Sequence, residues 1–233
     1  MIFDCDGVLV DTERDGHRVA FNLAFAEMGL DVTWSIEEYR ELLKIAGGKE
    51  RMRFWFDTNG WPEQYPGKDE LITGLHLLKT RLFMEMVEEG RLPLRPGIMR
   101  IVDEAVANRI RLAVCSTSNE KSVNQIIEKL LGMERKACFS GIFAGDIVSR
   151  KKPDPEIYRL CAAELNLHPQ NCFVVEDSRN GLLAAKGAGF RCLITSNEYT
   201  KDEDFREADL VVDELGDGEN ILITVDMLIK YCK

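Results

Sequence analysis

Five short apolar runs recur along this chain: Ile2–Asp4, Leu112–Ser116, Cys172–Glu176, Cys192–Thr195 and Leu210–Val212. Most of them are apolar without alternation. A strand with one face in water alternates apolar and polar residues, whereas a strand buried on both faces of a parallel sheet does not. Between the runs, Ile98–Asn108, Ser122–Leu131, Pro155–Leu165 and Asn180–Ala188 repeat their apolar residues at helical spacing. Strands alternating with helices predict an α/β domain built on a doubly wound parallel sheet.

The alternation breaks once. From about Gly16 to Gly90 the periodicity is helical and no convincing strand appears. His17–Met28 carries Val19, Leu23, Phe25 and Met28, and Leu71–Val87 carries Leu75, Leu78, Leu82 and Met86. Residues 16–90 therefore read as a helical domain inserted into a sheet domain of residues 1–15 and 91–233. Leu94-Arg95-Pro96-Gly97 marks the return, because Pro and Gly punctuate structure. The chain has 233 residues, enough for a core without staples, and is 45% hydrophobic, too apolar for disorder. No stretch approaches the ~18 apolar residues of a membrane span. Its 30 basic against 40 acidic residues, a formal charge of −10, argue against a nucleic-acid partner, since phosphate backbones select basic surfaces. Seven cysteines with no C-x-x-C pair suggest buried free thiols in a reducing compartment. The first strand begins almost at Met1, so the start of the protein reads as trimmed, with any targeting segment left open.

The chemistry gathers at predicted strand ends. Phe3-Asp4-Cys5-Asp6-Gly7-Val8 closes the first strand, and residues two apart on an extended chain point to one side, so Asp4 and Asp6 can share a site. Ser116 and Thr117 close the second run, Lys152 precedes Pro153 after an apolar approach, and Glu176 and Asp177 close the third run. Ligands of open parallel sheets bind beyond the carboxyl ends of the strands. Converging carboxylates repel, and a hard divalent cation relieves them; Mg²⁺ suits oxygen ligands and keeps room for a phosphate. Lys152 and a Ser116 or Thr117 hydroxyl would meet the phosphoryl charge, one aspartate would attack, and the other would move the proton. Each piece alone is ordinary: an acidic turn, a Lys-Pro turn, an N-cap. Their order on one sheet is much harder to produce by accident.

The four pieces resemble the motifs of the haloacid dehalogenase superfamily of phosphotransferases: Asp4-Cys5-Asp6-Gly7, Val114-Cys115-Ser116-Thr117, Lys151-Lys152-Pro153-Asp154-Pro155 and Val175-Glu176-Asp177-Ser178-Arg179-Asn180-Gly181. The resemblance runs from Ile2 to about Val212. It implies a Rossmann-like core with a helical cap inserted after the first motif, which closes over the site and excludes water. It implies Asp4 as nucleophile, Asp6 as general acid and base, and Ser116 and Lys152 as holders of the phosphoryl group. Mg²⁺ would sit on Asp4, the carbonyl of Asp6 and Asp177, with Glu176 in or beside its shell. Asp6 is the residue that phosphotransferases carry and dehalogenases with a lone aspartate lack.

Within the inserted segment, Lys44-Ile45-Ala46-Gly47-Gly48-Lys49-Glu50-Arg51-Met52-Arg53 holds four basic residues against one acidic, a local +3 in a chain of −10. It reads equally as a second phosphate site or as a solvated helix start after a Gly-Gly turn. Glu13 and His17, four apart, would share a helical face. They read as contacts to sugar hydroxyls, as proton-transfer groups, or, for the histidine, as packing. Asp11-Thr12-Glu13 with Gly47-Gly48-Lys49-Glu50-Arg51 most resembles the CbbY-like branch, related to β-phosphoglucomutase. That resemblance implies removal of the C1 phosphate of xylulose-1,5-bisphosphate, a Rubisco inhibitor in carbon-fixing organisms. Glu13, His17, Gly47, Gly48, Lys49 and Arg51 would then bind the sugar and the distal phosphate, with Thr117 beside Ser116 at the reacting one. The expected setting is plastid stroma in a plant or alga and cytoplasm in a bacterium, and the expected state a monomer. A sugar phosphomutase and a non-catalytic metabolite sensor on the same fold are the alternatives. Glu13, where the mutases carry a small residue, favours hydrolysis.

Overall fold

The computed structural model describes residues 1–45 and 47–231; Ala46 of the basic segment and Cys232 lie outside the described residues. The chain divides into two compact units, Met1–Asp11 with Leu92–Lys233, and Thr12–Arg91.

The first unit is built on a six-stranded sheet in which every pairing is parallel. Its strands are β1 (Ile2–Phe3), β2 (Leu112–Ser116), β3 (Phe139–Ala144), β4 (Phe173–Glu176), β5 (Arg191–Thr195) and β6 (Leu210–Val212), in the order β3-β2-β1-β4-β5-β6. All residues of β2 and β4 are buried, as their unbroken apolar runs require. Helices α7 (Glu156–Glu164) and α8 (Arg179–Gly187) cover one face, where Tyr158, Cys161, Leu182 and Ala185 pack with Ile2, Ala113, Cys115, Val174, Cys192 and Ile194. The residues that alternate with these, Phe3, Val114, Val175 and Leu193, are buried as well, so the opposite face is covered too. Helices α5 (Ile98–Ala107), α6 (Glu120–Lys136) and α9 (Val225–Tyr231) also belong to this unit. Strand β3 was not expected from the sequence. Ser140 and Gly141 interrupt its apolar run, and as an edge strand it is only partly buried.

Strand order fixes where a ligand binds. The chain steps outward from β1 through β2 to β3, then crosses back to β4 and steps outward the other way. A crevice forms beyond the carboxyl ends where the order reverses, between β1 and β4. Arg95 ties that rim together, donating to the carbonyls of Thr195 and Ser196, each at 2.7 Å, and to those of Gly7 and Asp213.

The second unit is helical: a π-helical turn Thr12–His17, then α1 (Arg18–Glu27), α2 (Ile36–Leu42), α3 (Gly48–Asn59) and α4 (Lys68–Glu88). Because the π turn runs straight into α1, the helical unit begins at Thr12, ahead of the expected residue 16. An aromatic cluster forms its centre. Trp34 is fully buried, with Phe21 and Phe25 each at 4.9 Å between ring centroids and Tyr39 at 5.8 Å. Among the described residues, no helix is long and apolar enough to cross a membrane.

Candidate active site

In the sheet unit the expected residues meet at the strand ends. Asp4 follows β1, Ser116 ends β2, Glu176 ends β4 and Asp177 comes next, while Lys152 reaches in ahead of α7. Lys152 joins two of the carboxylates: its Nζ lies 2.9 Å from Oδ1 of Asp4 and 2.5 Å from Oε1 of Glu176, and it donates to the Cys115 carbonyl at 2.9 Å. An ammonium has three hydrogens, and these are its three acceptors. Burial works against the charge of Lys152, but the Asp4 and Glu176 carboxylates outweigh it and raise its pKa. Burial likewise pushes Asp4 up from 3.8 to about 7, with Glu176 and Asp6 adding to the rise and Lys152 opposing it. Asp177 is raised by burial, then by Asp4 and Glu176.

Oxygens of Asp4, Glu176 and Asp177 lie within 4.8 Å of one another. Lys152 touches two of these three, and Oε2 of Glu176 is buried with no hydrogen-bond partner among the described residues. A buried carboxylate oxygen without a donor is costly. Three carboxylates held this closely, one oxygen unsatisfied, form a hard oxygen set that fits Mg²⁺, Mn²⁺ or Ca²⁺ and would not suit a thiophilic metal.

Two glycines make the convergence possible. At Gly7, whose φ is +77°, a Cβ would stand 2.0 Å from Oδ2 of Asp177; at Gly181, one would stand 2.0 Å from Oε2 of Glu176. No other residue leaves room for the carboxylates at these points. Asp6 stands apart from the three. Its Oδ2 accepts from the Ser118 hydroxyl at 2.5 Å and, at 3.4 Å, from Ser116, whose own oxygen accepts the Ser118 amide at 3.1 Å. Thr117 is half-buried between these serines.

Several partners escaped the sequence reading. Tyr158 donates its hydroxyl to Oε1 of Glu176, Asn197 donates to Oδ2 of Asp177 at 2.8 Å, and Ser118 serves Asp6. None carries a motif signature. Only the Asx and Ser turn chemistry around Ser118-Asn119 was visible in the sequence.

Glu13, His17, Gly47, Gly48, Lys49 and Arg51 belong to the helical unit. There Arg51 donates to the Tyr39 hydroxyl at 2.8 Å, and Tyr39 donates to Oε2 of Glu13 at 2.7 Å, a relay that orients the carboxylate. Arg51 is buried and also binds the carbonyls of Leu42, at 3.1 Å, and Ile45, at 3.4 Å. It therefore ties together the carbonyls of Leu42 and Ile45 ahead of α3, a role that neither sequence reading of the segment, second phosphate site or solvated helix start, included. Two more charges of that segment are met: Lys44 pairs with Glu41 at 2.5 Å and Arg53 with Asp69. Lys49 is exposed on the first turn of α3. Gly47 stands at φ +90°, a backbone conformation that L side chains rarely adopt, which favours glycine there.

His17 has an unexpected neighbour. Lys79 on α4 places Nζ 3.0 Å from its Nδ1 and lies over the Phe21 and Phe83 rings, at 4.9 and 5.5 Å from the centroids. Burial holds Lys79 down to about 8, and burial with the Lys79 and Arg51 charges holds His17 down to about 3. At neutral pH an ammonium can only donate, so Nδ1 of His17 accepts and Nε2 carries the proton.

The carboxylate triad, its lysine and the second aspartate at the switch point of a parallel sheet define a phosphoryl-transfer site. In agreement, residues 1–189 match the family model of the haloacid dehalogenase-like hydrolases. The chain belongs to that family and is a phosphatase. It is 55% identical over 221 residues to a CbbY-like protein of Arabidopsis thaliana, covering 93% of this chain and 69% of that one. It is 43% identical over 218 residues to CbbY of Cereibacter sphaeroides, covering 93% and 92%. A crystal structure of mutant CbbY from Rhodobacter sphaeroides in complex with xylulose-1,5-bisphosphate superposes with a TM-score of 0.70 at 42% identity, covering 93% of this chain and 94% of that one.

Proposed function

We propose that this phosphatase removes a phosphate from a sugar bisphosphate, with xylulose-1,5-bisphosphate the preferred substrate, through an aspartyl-phosphate intermediate. The observation that carries the chemistry is the pairing of two different aspartates. Asp4 is buried against Lys152, with its oxygens beside Glu176 and Asp177, while Asp6 stands in a separate, hydroxyl-lined position. One carboxylate held by an ammonium and a second bonded to hydroxyls, which can exchange a proton, is the division that nucleophile and acid–base roles require. The ligand bound to the similar CbbY structure supports the choice of sugar.

An Asp4 oxygen bonds to phosphorus as the bond to the sugar oxygen breaks, and Asp6 gives its proton to that oxygen. Asp6, now a carboxylate, takes a proton from water as the water attacks phosphorus. The acyl phosphate bond breaks, inorganic phosphate leaves and Asp4 is restored. Ser116 and Lys152 orient the phosphoryl oxygens and offset their charge. Asp4, the Asp6 carbonyl, Asp177 and Glu176 would hold Mg²⁺. When bound, the ion neutralises the carboxylates and the charge of the transferring group. In the helical unit, Glu13 as acceptor and the Nε2–H of His17 as donor match the two hydrogen-bonding senses of a sugar hydroxyl, and Lys49 supplies an exposed positive charge for the distal phosphate.

Phosphate release from a panel of sugar mono- and bisphosphates with Mg²⁺ tests the reading. Xylulose-1,5-bisphosphate should give the highest kcat/KM with stoichiometric phosphate, and Asp4→Asn should abolish release. Preference for a monophosphate, or isomerisation without phosphate release, overturns it.

A further inference from the structure

Tyr158 is named by no motif, yet it touches two members of the site at once. It projects from α7 and is fully buried. Its hydroxyl donates to Oε1 of Glu176, and its ring lies under the Lys152 ammonium, 5.1 Å from Nζ to the centroid. Glu176 is itself fully buried, and its two oxygens are treated differently. Oε1 receives Tyr158 and Lys152; Oε2 receives no hydrogen bond among the described residues and lies against the bare Cα of Gly181.

We infer that Tyr158 is a positioning residue for the cation site: by saturating Oε1 together with Lys152, it fixes Glu176 so that Oε2 is the oxygen turned to a divalent cation or to that cation's water. The inference rests on the divalent-cation reading above. Lys152 alone would leave the carboxylate free to pivot about one bond, since an ammonium is a point donor. A second donor from α7 sets the plane of the carboxylate, and partners of this kind, one step removed from the metal, govern ligand orientation and affinity. Aromatic support beneath Lys152 keeps the ammonium where it can serve Asp4 and Glu176 together.

A buried tyrosine also needs some acceptor for purely structural reasons, and the test separates the two roles. Tyr158→Phe removes one oxygen and keeps the ring under Lys152. Mn²⁺, which shares the oxygen preference of Mg²⁺, is titrated into substrate-free protein and free ion is followed by electron paramagnetic resonance, for wild type, Tyr158→Phe, Glu176→Gln and the double variant. Mn²⁺ affinity should fall roughly tenfold or more in Tyr158→Phe, the range typical of lost outer-shell partners. The same substitution on Glu176→Gln should cost less than about twofold further, because the two act through one contact. Folded Tyr158→Phe binding Mn²⁺ within about twofold of wild type, whatever its melting temperature, overturns the inference. Absence of Mn²⁺ binding to wild type overturns the cation reading itself. Should the phenylalanine variant not fold, Tyr158→Met, which also lacks the hydroxyl, takes its place with the same expected loss.

Discussion

Replacing Gly181 by alanine sets two effects of opposite sign against each other. Gly181 lies within α8 and has ordinary helical backbone, so alanine there gains up to ~1 kcal/mol of helix propensity. Its new Cβ, however, would stand 2.0 Å from Oε2 of Glu176, 2.1 Å from Cδ and 2.5 Å from Oε1, whereas ordinary contact begins at 3.4 Å. Something must give by 3.4 − 2.0, about 1.4 Å. If the carboxylate withdraws, its bonds to Lys152 and Tyr158 lengthen beyond use, at ~1.5–3 kcal/mol for each charge-assisted bond. If the helix withdraws, overpacking costs ~1–3 kcal/mol and the Ser178 cap on the Gly181 amide, 3.2 Å, is strained. Even along the cheaper route the clash exceeds the propensity gain, so Gly181→Ala should lose ~1–2 kcal/mol net and melt roughly 2–8 °C lower. Phosphate release should fall with it. Gly74, inside α4, is the control: an added Cβ meets nothing within 4 Å, so Gly74→Ala should gain ~0.5–1 kcal/mol from propensity alone. Calorimetric scans of both variants, with phosphate-release assays, decide the matter. A Gly181→Ala protein that melts higher than wild type and keeps its activity would refute the packing described for Glu176.

Three further outcomes follow from the same structure. Lys152→Met leaves two buried carboxylates without their ammonium, so urea denaturation should show a loss on the order of 3–5 kcal/mol and phosphate release should vanish; near-wild-type stability would contradict the pairing. Asn119→Ala removes the N-cap of α6, whose side chain accepts the Lys121 amide at 3.0 Å and the Ser122 amide at 3.4 Å, and should cost ~1 kcal/mol in the same assay with little change in KM. His17, held near 3 against 6.5 when unfolded, binds its proton more readily in the unfolded chain, so its contribution to stability is complete above pH 6.5 and is lost as pH falls toward 3. His17→Gln should therefore flatten the fall in melting temperature between pH 6.5 and 4.5; an unchanged acid limb would show that His17 titrates normally.

What the chain reveals before folding depends on how local the cause is. Leu112–Ser116 and Phe173–Glu176 could be read as buried parallel strands because burial on both faces writes itself into consecutive residues. Phe139–Ala144 could not, since an edge strand tolerates Ser140 and Gly141. Asp4, Asp6, Ser116, Glu176 and Asp177 stood out because they sit at or just past strand ends, where the sheet must deliver them together, and Lys152 stood out by its Lys-Pro turn ahead of α7. Tyr158 and Lys79 stayed hidden inside helical periodicity. At helical spacing a tyrosine reads as core and a lysine as surface, and only the tertiary fold sets one against Glu176 and the other against His17. Arg51 shows another limit: its charge and glycine neighbours left a second phosphate site and a solvated helix start equally open, and neither reading showed its bonds to Tyr39 and to the Leu42 and Ile45 carbonyls.

The internal contacts of Arg51 bear on how a chain of net charge −10 would take up the polyanion proposed as its substrate. The local +3 around α3 is largely met within the helical unit, by Glu41, Asp69 and the carbonyls around Arg51. On the function proposed above, the positive charges left for the substrate include Lys49 in the helical unit and Lys152 in the sheet unit. Lys152 already gives its three hydrogens to Asp4, Glu176 and the Cys115 carbonyl, so a phosphoryl oxygen reaches it only by displacing one of them. Glu176 is fixed by Tyr158 and Gly181, and the Cys115 carbonyl is part of β2. In the proposed reaction Asp4 is the acceptor whose bond to Lys152 is released, because attack on phosphorus would spend the charge that holds it. On the proposed mechanism, the ammonium that pairs with Asp4 would thus be the group freed to meet the phosphoryl oxygens as that carboxylate reacts.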